Sequence, residues 1–298
     1  MSSLSVIQRR RNTVAALAFI APNLIGFIAF VAAPTVASLV FSFFDYALVG
    51  TPRFIGFENY RRLLFDDPLF LRVLWNTLYY VVAYVSLNVV LAIGVAVWLT
   101  NRTAFAGLFR SIFFVPVIIP TVAVALIFRL LYLPEIGLIN VALGSVGVPD
   151  IRWLSDPTFA MPAIIIMSVW MGFGYNLVIF IAGLKGIPDS LIEAATIDGA
   201  GNWRTFWGIK LPLLSPYVFF ATVMTVIFSF QVFDQTYILT RGGPINSTNT
   251  LVLYMYQQGF EFFRMGYASA IAWVLFALVF GATIIQSRMQ GRWVSYDI

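Results

Sequence analysis

Apolar residues gather in long blocks along this chain. The blocks cover residues 14–44, 73–99, 111–131, 159–184, 213–239 and 265–285, and polar segments separate them. Each has at least about 20 residues, enough at ~1.5 Å per residue to cross a ~30 Å hydrocarbon core. The first is too long for a signal peptide, whose apolar region runs about 7–15 residues, so a retained helix is expected. Pro22 and Pro34 interrupt it, and Pro116 and Pro120 fall in the third block. Spanning helices tolerate proline when neighbours satisfy the freed carbonyls. Residues 251–264 are half polar and read as an interfacial helix. The predicted fold is all-α: a polytopic membrane protein with six transmembrane helices. One membrane domain over 14–287 lies between short tails at 1–13 and 288–298.

Composition agrees with lipid as the main solvent. The chain is 60% hydrophobic and only 10% charged, where soluble domains run near 25% charged. Its net charge of +5 does not suggest nucleic acid, because no basic cluster exists beyond Arg9, Arg10 and Arg11. The absence of Cys and His excludes thiol chemistry, His-based triads and most zinc or iron sites. Charge carries information about sidedness instead. Six spans put both ends on one side, together with the loops holding Arg102, Arg110 and residues 185–212. That side has ten Lys and Arg against eight on the other. The positive-inside rule therefore places the termini and the 185–212 loop in the cytoplasm.

The 185–212 loop is the one sizeable polar stretch between spans on that side, and it holds the only two lysines, Lys185 and Lys210. Pro188 suits a first helical turn, with Asp189 and Glu193 near the positive end of the dipole. Gly199 and Gly201 end that helix. Asn202 is placed to cap a second short helix over 203–210, before Pro212 opens the fifth span. Ala194, Ala195 and Gly199 let another surface approach closely, and Trp203, Phe206 and Trp207 are anchors of the kind found in binding hot spots. Neither lysine has a P-loop context, so this chain cannot hydrolyse ATP by a P-loop.

Glu193-Ala194-Ala195, then Gly199, Ile209, Leu211 and Pro212 at their spacing, resemble the "EAA" signature of bacterial ABC importer permeases. The stretches Phe54-Ile-Gly-Phe-Glu-Asn-Tyr60, Trp75-Asn-Thr77, Phe233-Asp-Gln-Thr-Tyr237, Arg241-Gly-Gly-Pro244 and Phe262-Phe-Arg-Met-Gly-Tyr-Ala268 look like the carbohydrate-uptake branch, the maltose and glycerol-3-phosphate type. The resemblance implies that Glu193, Ala194, Ala195, Asp198, Gly199 and Trp203 form a coupling helix seated on an ATPase. It implies as partners a second homologous permease, two cytoplasmic ATPase subunits and an extracytoplasmic solute-binding protein, in the bacterial inner membrane. ATP and magnesium would sit on the ATPase subunits, with no cofactor in this chain.

Candidate residues for a solute path are Trp170, Asn176, Gln231 and Asp234. Ionisable groups at membrane depth usually line a cavity or pathway, and hydroxyl-rich solutes suit amides and a carboxylate beside aromatic rings. Two readings of Asp234 stand: a path-lining group, or an interfacial group at a helix end. Trp170, Tyr175 and Asn176 flank Gly172 and Gly174, read as a flexible turn. Tyr84, Ser86 and Asn88 read better as polar glue between helices. Arg129 is expected to snorkel outward. The pair Asp66 and Asp67 has no second acidic pair to make a metal site, and Asn246-Ser-Thr248 matches a glycosylation acceptor. The alternative function is a secondary transporter or channel, which would need more ionisable residues within its spans. A membrane enzyme fits poorly with scattered acids and no His or Cys.

Overall fold

A computed structural model describes residues 3–47, 50–100 and 106–295, and helices dominate it. Arg102 and Asp297, which enter the charge bias, fall outside the described residues, as do the side chains of Arg9 and Arg10. The chain divides into two compact units, Met1–Asp66 with Gln257–Trp273, and Asp67–Tyr256 with Val274–Ile298.

In the first unit, helix Ser3–Phe27 passes through a π-helical turn at Ile28–Ala32 into Ala33–Phe41. Pro34 has no N–H to offer the carbonyl four residues back, and the widened turn sits directly before it. A two-residue antiparallel pair follows, Phe44 opposite Phe54 and Asp45 opposite Arg53. Asn59 fixes it by donating to the carbonyls of Ser42 and Phe44, both at 2.9 Å. The Gly266 N–H donates to the Tyr46 carbonyl at 3.0 Å. A Cβ at Gly266 would stand 2.0 Å from the Phe44 carbonyl oxygen, so only glycine fits there. The family-like stretches 54–60 and 262–268 thus meet on one small hairpin, which Arg62 also joins by lying 5.3 Å over the Tyr267 ring.

Among the described residues, five helices are long and apolar enough to cross a membrane: Arg11–Phe41, Pro68–Thr100, Pro157–Lys185, Asn202–Phe230 and Met265–Arg292. The third block is not a straight span. Ala106–Ile118 and Thr121–Leu131 meet at 100°, and counting this bent pair as one span gives six. The bend follows from Pro120, which holds an extended conformation (ψ 132°) and disfavours helix at the residue before it. Arg110, expected in a loop, lies within Ala106–Ile118. The fifth block also differs. Its helix starts at Asn202, so no separate short helix precedes Pro212; Asn202 is the first helical residue and Gly201 the N-cap. The helix then ends at Phe230 and resumes as Asp234–Thr240.

The second unit is organised by Pro157–Lys185. In its most apolar window 61% of residues are buried, against 28% or less in the other long helices. One apolar cluster, around Tyr80, Phe128, Ile164, Met167 and Phe230, lies towards one end of this helix; another, around Ala92, Leu99, Leu177, Phe180 and Leu214, lies towards the other. Lipid is as apolar as these side chains, so close packing rather than water exclusion holds helices together. The glycines serve that packing. Gly172 and Gly174 lie inside an unbroken helix, not in a flexible turn. A Cβ on Gly172 would come 2.3 Å from the Tyr84 hydroxyl, and one on Gly174 would come 2.1 Å from the Phe113 carbonyl oxygen.

The loops of this unit are pinned. Asn140, 1% exposed, donates to the Ile151 carbonyl at 2.9 Å and accepts from the Trp153 indole at 2.9 Å. Asn76 donates to the carbonyls of Asn246 and Asn249, at 2.8 and 3.0 Å, and the Thr77 hydroxyl accepts from Leu251 N at 2.9 Å. Of the Asn246-Ser-Thr248 match, Thr248 is fully buried and Asn246 is exposed. Leu251, Leu253 and Tyr254 are buried too, so the helix Leu251–Tyr256 is core rather than interfacial, whereas Phe260, Phe262 and Phe263 beyond it are exposed. Asp67 accepts from the N–H groups of Leu69 and Phe70 and from the Tyr254 hydroxyl, and so caps a helix.

Gly174→Leu in the purified protein is expected to lower stability by about 1–3 kcal/mol through overpacking. Gly94→Ala, where an added Cβ meets nothing within 4 Å, should leave it unchanged. Thermal unfolding in detergent measures both, and equal melting temperatures for the two variants would refute the close-approach account.

Candidate functional site

The 185–212 loop begins where Pro157–Lys185 ends and closes with a helix, Asp189–Ile197, whose N-cap is Pro188. Pro188 holds ψ 130°, and its missing N–H costs nothing at this position. The helix stops because Gly199 takes φ +76°, a left-handed conformation that closes the last turn at low cost only for glycine. The Ala200 N–H then reaches back to the Ala195 carbonyl at 2.9 Å. No residue of Asp189–Ile197 is buried. Glu193, Ala194, Asp198 and Gly199 are exposed, and Ala195 is half-buried. Neither Glu193 nor Asp198 is ion-paired among the described residues.

Beside this helix stands an aromatic cluster. Trp203 and Trp207 pack edge to face with centroids 5.6 Å apart, and Phe206 lies 5.3 Å from Trp207. Trp203 is 75% exposed and Ile197 86%. Apolar surface of this size, where the polar loop enters Asn202–Phe230, marks a contact surface. A π-helical turn, Phe206–Lys210, leads from the cluster into Leu211–Phe230 without a break.

The other candidate residues lie farther along the same unit. Asn176 is 2% exposed; its amide donates to Asn88 Oδ1 at 2.7 Å and to the Thr225 hydroxyl at 2.9 Å. It therefore joins the Pro68–Thr100, Pro157–Lys185 and Leu211–Phe230 helices. This supports the polar-glue role for Asn88 and gives Asn176 the same one. Asn176 nevertheless also lines a cavity of about 290 Å³ with Tyr84, Tyr175 and Thr225. A second cavity of about 400 Å³ is lined by Tyr80, Tyr84, Gln231, Asp234 and Gln235. Tyr84, Met171 and Phe228 line both, so the two adjoin.

Gln231 and Asp234 bracket the break at 231–233, where Phe233 holds φ −137°, ψ −62°. Irregular backbone at membrane depth is tolerated where it lines a cavity or is buried in protein. Asp234 is exposed and sits in the first turn of Asp234–Thr240, which a carboxylate favours. Three of the four path candidates are thus brought to two adjoining cavities, Asn176 to one and Gln231 and Asp234 to the other. Trp170 is not among their lining residues; its ring lies 5.4 Å from Phe128, against the bent pair. Tyr80 and Phe228 are cavity residues that sequence reasoning missed, because aromatic residues in an oily block look like ordinary lipid-facing or core positions. Arg129 lines a separate recess of about 410 Å³ with Tyr132, Ser155 and Pro244.

A helical bundle with an exposed loop between its fourth and fifth spans, and a broken helix above a polar cavity, has the architecture of an ABC importer permease. The chain belongs to the family of binding-protein-dependent transport system inner membrane components, which residues 88–294 match. It is 40% identical to the probable ABC transporter permease protein YesP of Bacillus subtilis, over 97% of this chain and 94% of that protein. It is 37% identical to the sulfoquinovosyl glycerol transport system permease protein SmoG of Agrobacterium fabrum, over 85% and 83%. Its fold matches a chain of a bacterial alginate ABC transporter, solved in complex with an alginate pentasaccharide-bound periplasmic protein. The TM-score is 0.86, at 21% identity over 98% of this chain and 99% of that one. The protein is therefore a membrane-embedded permease subunit of a binding-protein-dependent ABC transporter.

Asn176→Leu is expected to destabilise the purified permease by about 0.6–2 kcal/mol, the usual range for an interhelical hydrogen bond in a membrane. In a double-mutant cycle with Thr225→Val the two costs should be less than additive, because the same bond is lost once. Full additivity in the unfolding midpoints would argue against the shared network.

Proposed function

We propose that this permease forms half of the translocation pathway for a sugar or sugar-like solute in an ATP-driven importer, and that residues 185–212 couple it to a separate ATPase subunit. The observation that carries the coupling role is mechanical. The exposed loop is continuous with one helix, Asn202–Phe230, whose far end opens into the cavity at Gln231 and Asp234. At ~1.5 Å per residue this helix is about 43 Å long. A push on Trp203 is therefore felt at the cavity through one helix with only the π turn in it, and a push on Glu193 passes first through the turn at Gly199.

Glu193, Ala194, Ala195, Asp198, Gly199 and Trp203 are the residues assigned to the ATPase contact. Small side chains admit a partner surface, Gly199 sets the angle of the ledge, and Trp203 supplies an anchor. ATP and magnesium act on two cytoplasmic ATPase subunits, and a second permease completes the path. An extracytoplasmic solute-binding protein delivers the solute. The chain sits in a bacterial inner membrane with both termini in the cytoplasm, the arrangement favoured by its Lys and Arg bias. A sugar-like solute is supported by the amides, carboxylate and tyrosines of the cavity, and by the glycoside in the name of the Agrobacterium relative.

In the proposed cycle, ATP closes the ATPase dimer and the loop moves with it. The spans then open the cavity outward to the docked binding protein, and hydrolysis resets them. Gln231, Asp234 and, through Thr225, Asn176 meet the passing solute or position what does.

Glu193→Lys should lose the co-purifying ATPase subunit and abolish uptake, while expression and melting temperature stay near wild type; Gly199→Val should lose both as well, with a lowered melting temperature from the strained left-handed turn. Asp234→Asn should keep the ATPase subunit yet reduce uptake by about tenfold, the effect of one hydrogen bond to a charged group. Transport by this chain alone in liposomes without ATP would instead establish the secondary-transporter reading.

A further inference from the structure

The segment between the bent pair and Pro157–Lys185 separates two apolar blocks, yet its charges stand only at its edges. Glu135 opens it, and Asp150, Arg152 and Asp156 close it; Ile136 to Pro149 holds no charged, aromatic or Met residue. Within that stretch lies a short helix, Leu138–Gly144. Its inner side is fixed. Ile139 packs against the apolar cluster around Tyr80 and Phe128, and buried Asn140 holds the Ile151 carbonyl and the Trp153 indole. Its outer side is aliphatic: Leu138 and Val141, with Ile136 and Val146 beside them, are each more than half exposed. A loose loop could turn such side chains inward, but this one is tied in the opposite sense.

Level, backbone and composition together identify what covers this face. The Tyr132 hydroxyl, at the start of the segment, donates to the Ala163 carbonyl at 2.8 Å. From Lys185, which closes the fourth apolar block, back to Ala163 the helix rises about 33 Å at ~1.5 Å per residue. That is about one hydrocarbon core, so the segment starts at the far boundary of the bilayer. The limb that leads into it, Thr121–Leu131, also exposes Leu126, Ile127 and Leu130. The backbone suits lipid as well. The N–H groups of Ser145, Val146, Gly147 and Val148 all donate to carbonyls of residues 141–144, at 3.0–3.2 Å, and the Ser145 hydroxyl donates to the Ala142 carbonyl at 2.7 Å. Backbone beside lipid must be satisfied internally in this way. Contact surfaces for proteins are instead enriched in Tyr, Trp, Met and Arg, while Leu and Val are under-represented at their hot spots. This face has only the second kind.

We propose that residues 136–148 rest in the boundary between headgroups and acyl chains, on the side of the bilayer opposite the 185–212 loop. The occupant of the face is the lipid surface. Leu138, Val141 and Val146 enter the acyl region, and Glu135, Asp150 and Arg152 stay among the headgroups. Through the bonds from Asn140 to Ile151 and Trp153, this float sets the height at which Pro157–Lys185, the most buried of the long helices, begins.

The chain has no cysteine, so single nitroxide labels can be placed without removing any residue first. The test labels Leu138→Cys, Val141→Cys and Asp150→Cys in the full-length permease, reconstituted in liposomes of phosphatidylethanolamine and phosphatidylglycerol. All three positions are exposed, so melting temperatures should stay near wild type. Power-saturation EPR then compares collisions with oxygen, which concentrates in lipid, and with a water-soluble nickel chelate. Labels at 138 and 141 should collide more with oxygen than with nickel, and the label at 150 more with nickel. Nickel collisions equal to or above oxygen at either 138 or 141 would put the face in water and overturn the proposal. Shielding from both reagents at either position would put it under protein, a partner subunit or a docked one, and overturn it equally. An oxygen preference at 150 would overturn the boundary placement, because the whole segment would then be immersed.

Discussion

Every backbone N–H and C=O of this chain that sits in hydrocarbon must find its partner inside the protein. The rest of the structure depends on that constraint. It makes the spans helical, and it confines irregular backbone to places that can satisfy it. The break at 231–233 is such a place: the Val232 carbonyl accepts from the buried Thr250 hydroxyl at 3.1 Å, and Val232 N–H donates to Ser229 O. The buried polar run Thr248, Asn249 and Thr250 and the clamp from Asn76 and Thr77 are the other half of the same solution. What reads in sequence as a surface loop is the internal solvent of a broken helix.

The helices themselves are held by contact and by a few bonds. Gly172 and Gly174 bring Pro157–Lys185 within touching distance of two neighbours, and Asn176 ties three helices at one point. The long helix from Asn202 to Phe230 crosses this tied region with a contact surface at one end and a cavity at the other. A rigid element loaded at both ends is what a transport subunit needs if its energy source lies outside the membrane.

The class of fold was legible because lipid imposes a coarse rule: long apolar blocks become helices, and the polar segment with Glu193 and Gly199 stands out against them. The turn at Gly199 was legible for the same local reason, since only glycine takes its conformation cheaply. The bend at Pro120 was not. Proline marks a weak point, but whether a helix runs on through it, as at Pro162, or turns by 100° depends on the neighbours that receive it. The glycines at 172 and 174 misled for a related reason. Composition suggests flexibility, whereas the structure uses them to exclude side chains from a tight contact. Asn176 and Asp234 were identified as polar oddities, but only packing separates the tie from the cavity edge. Trp170 shows the limit: an aromatic ring one position from Met171 faces another helix altogether.

Helix Asp189–Ile197 has nine residues and no buried side chain. Isolated helices shorter than about 12–15 residues are marginal in water. The left-handed glycine that ends this one limits fraying at one end only. Its order is therefore set less by this chain than by whatever covers it. A surface that covers the segment therefore adds packing that its own chain does not supply.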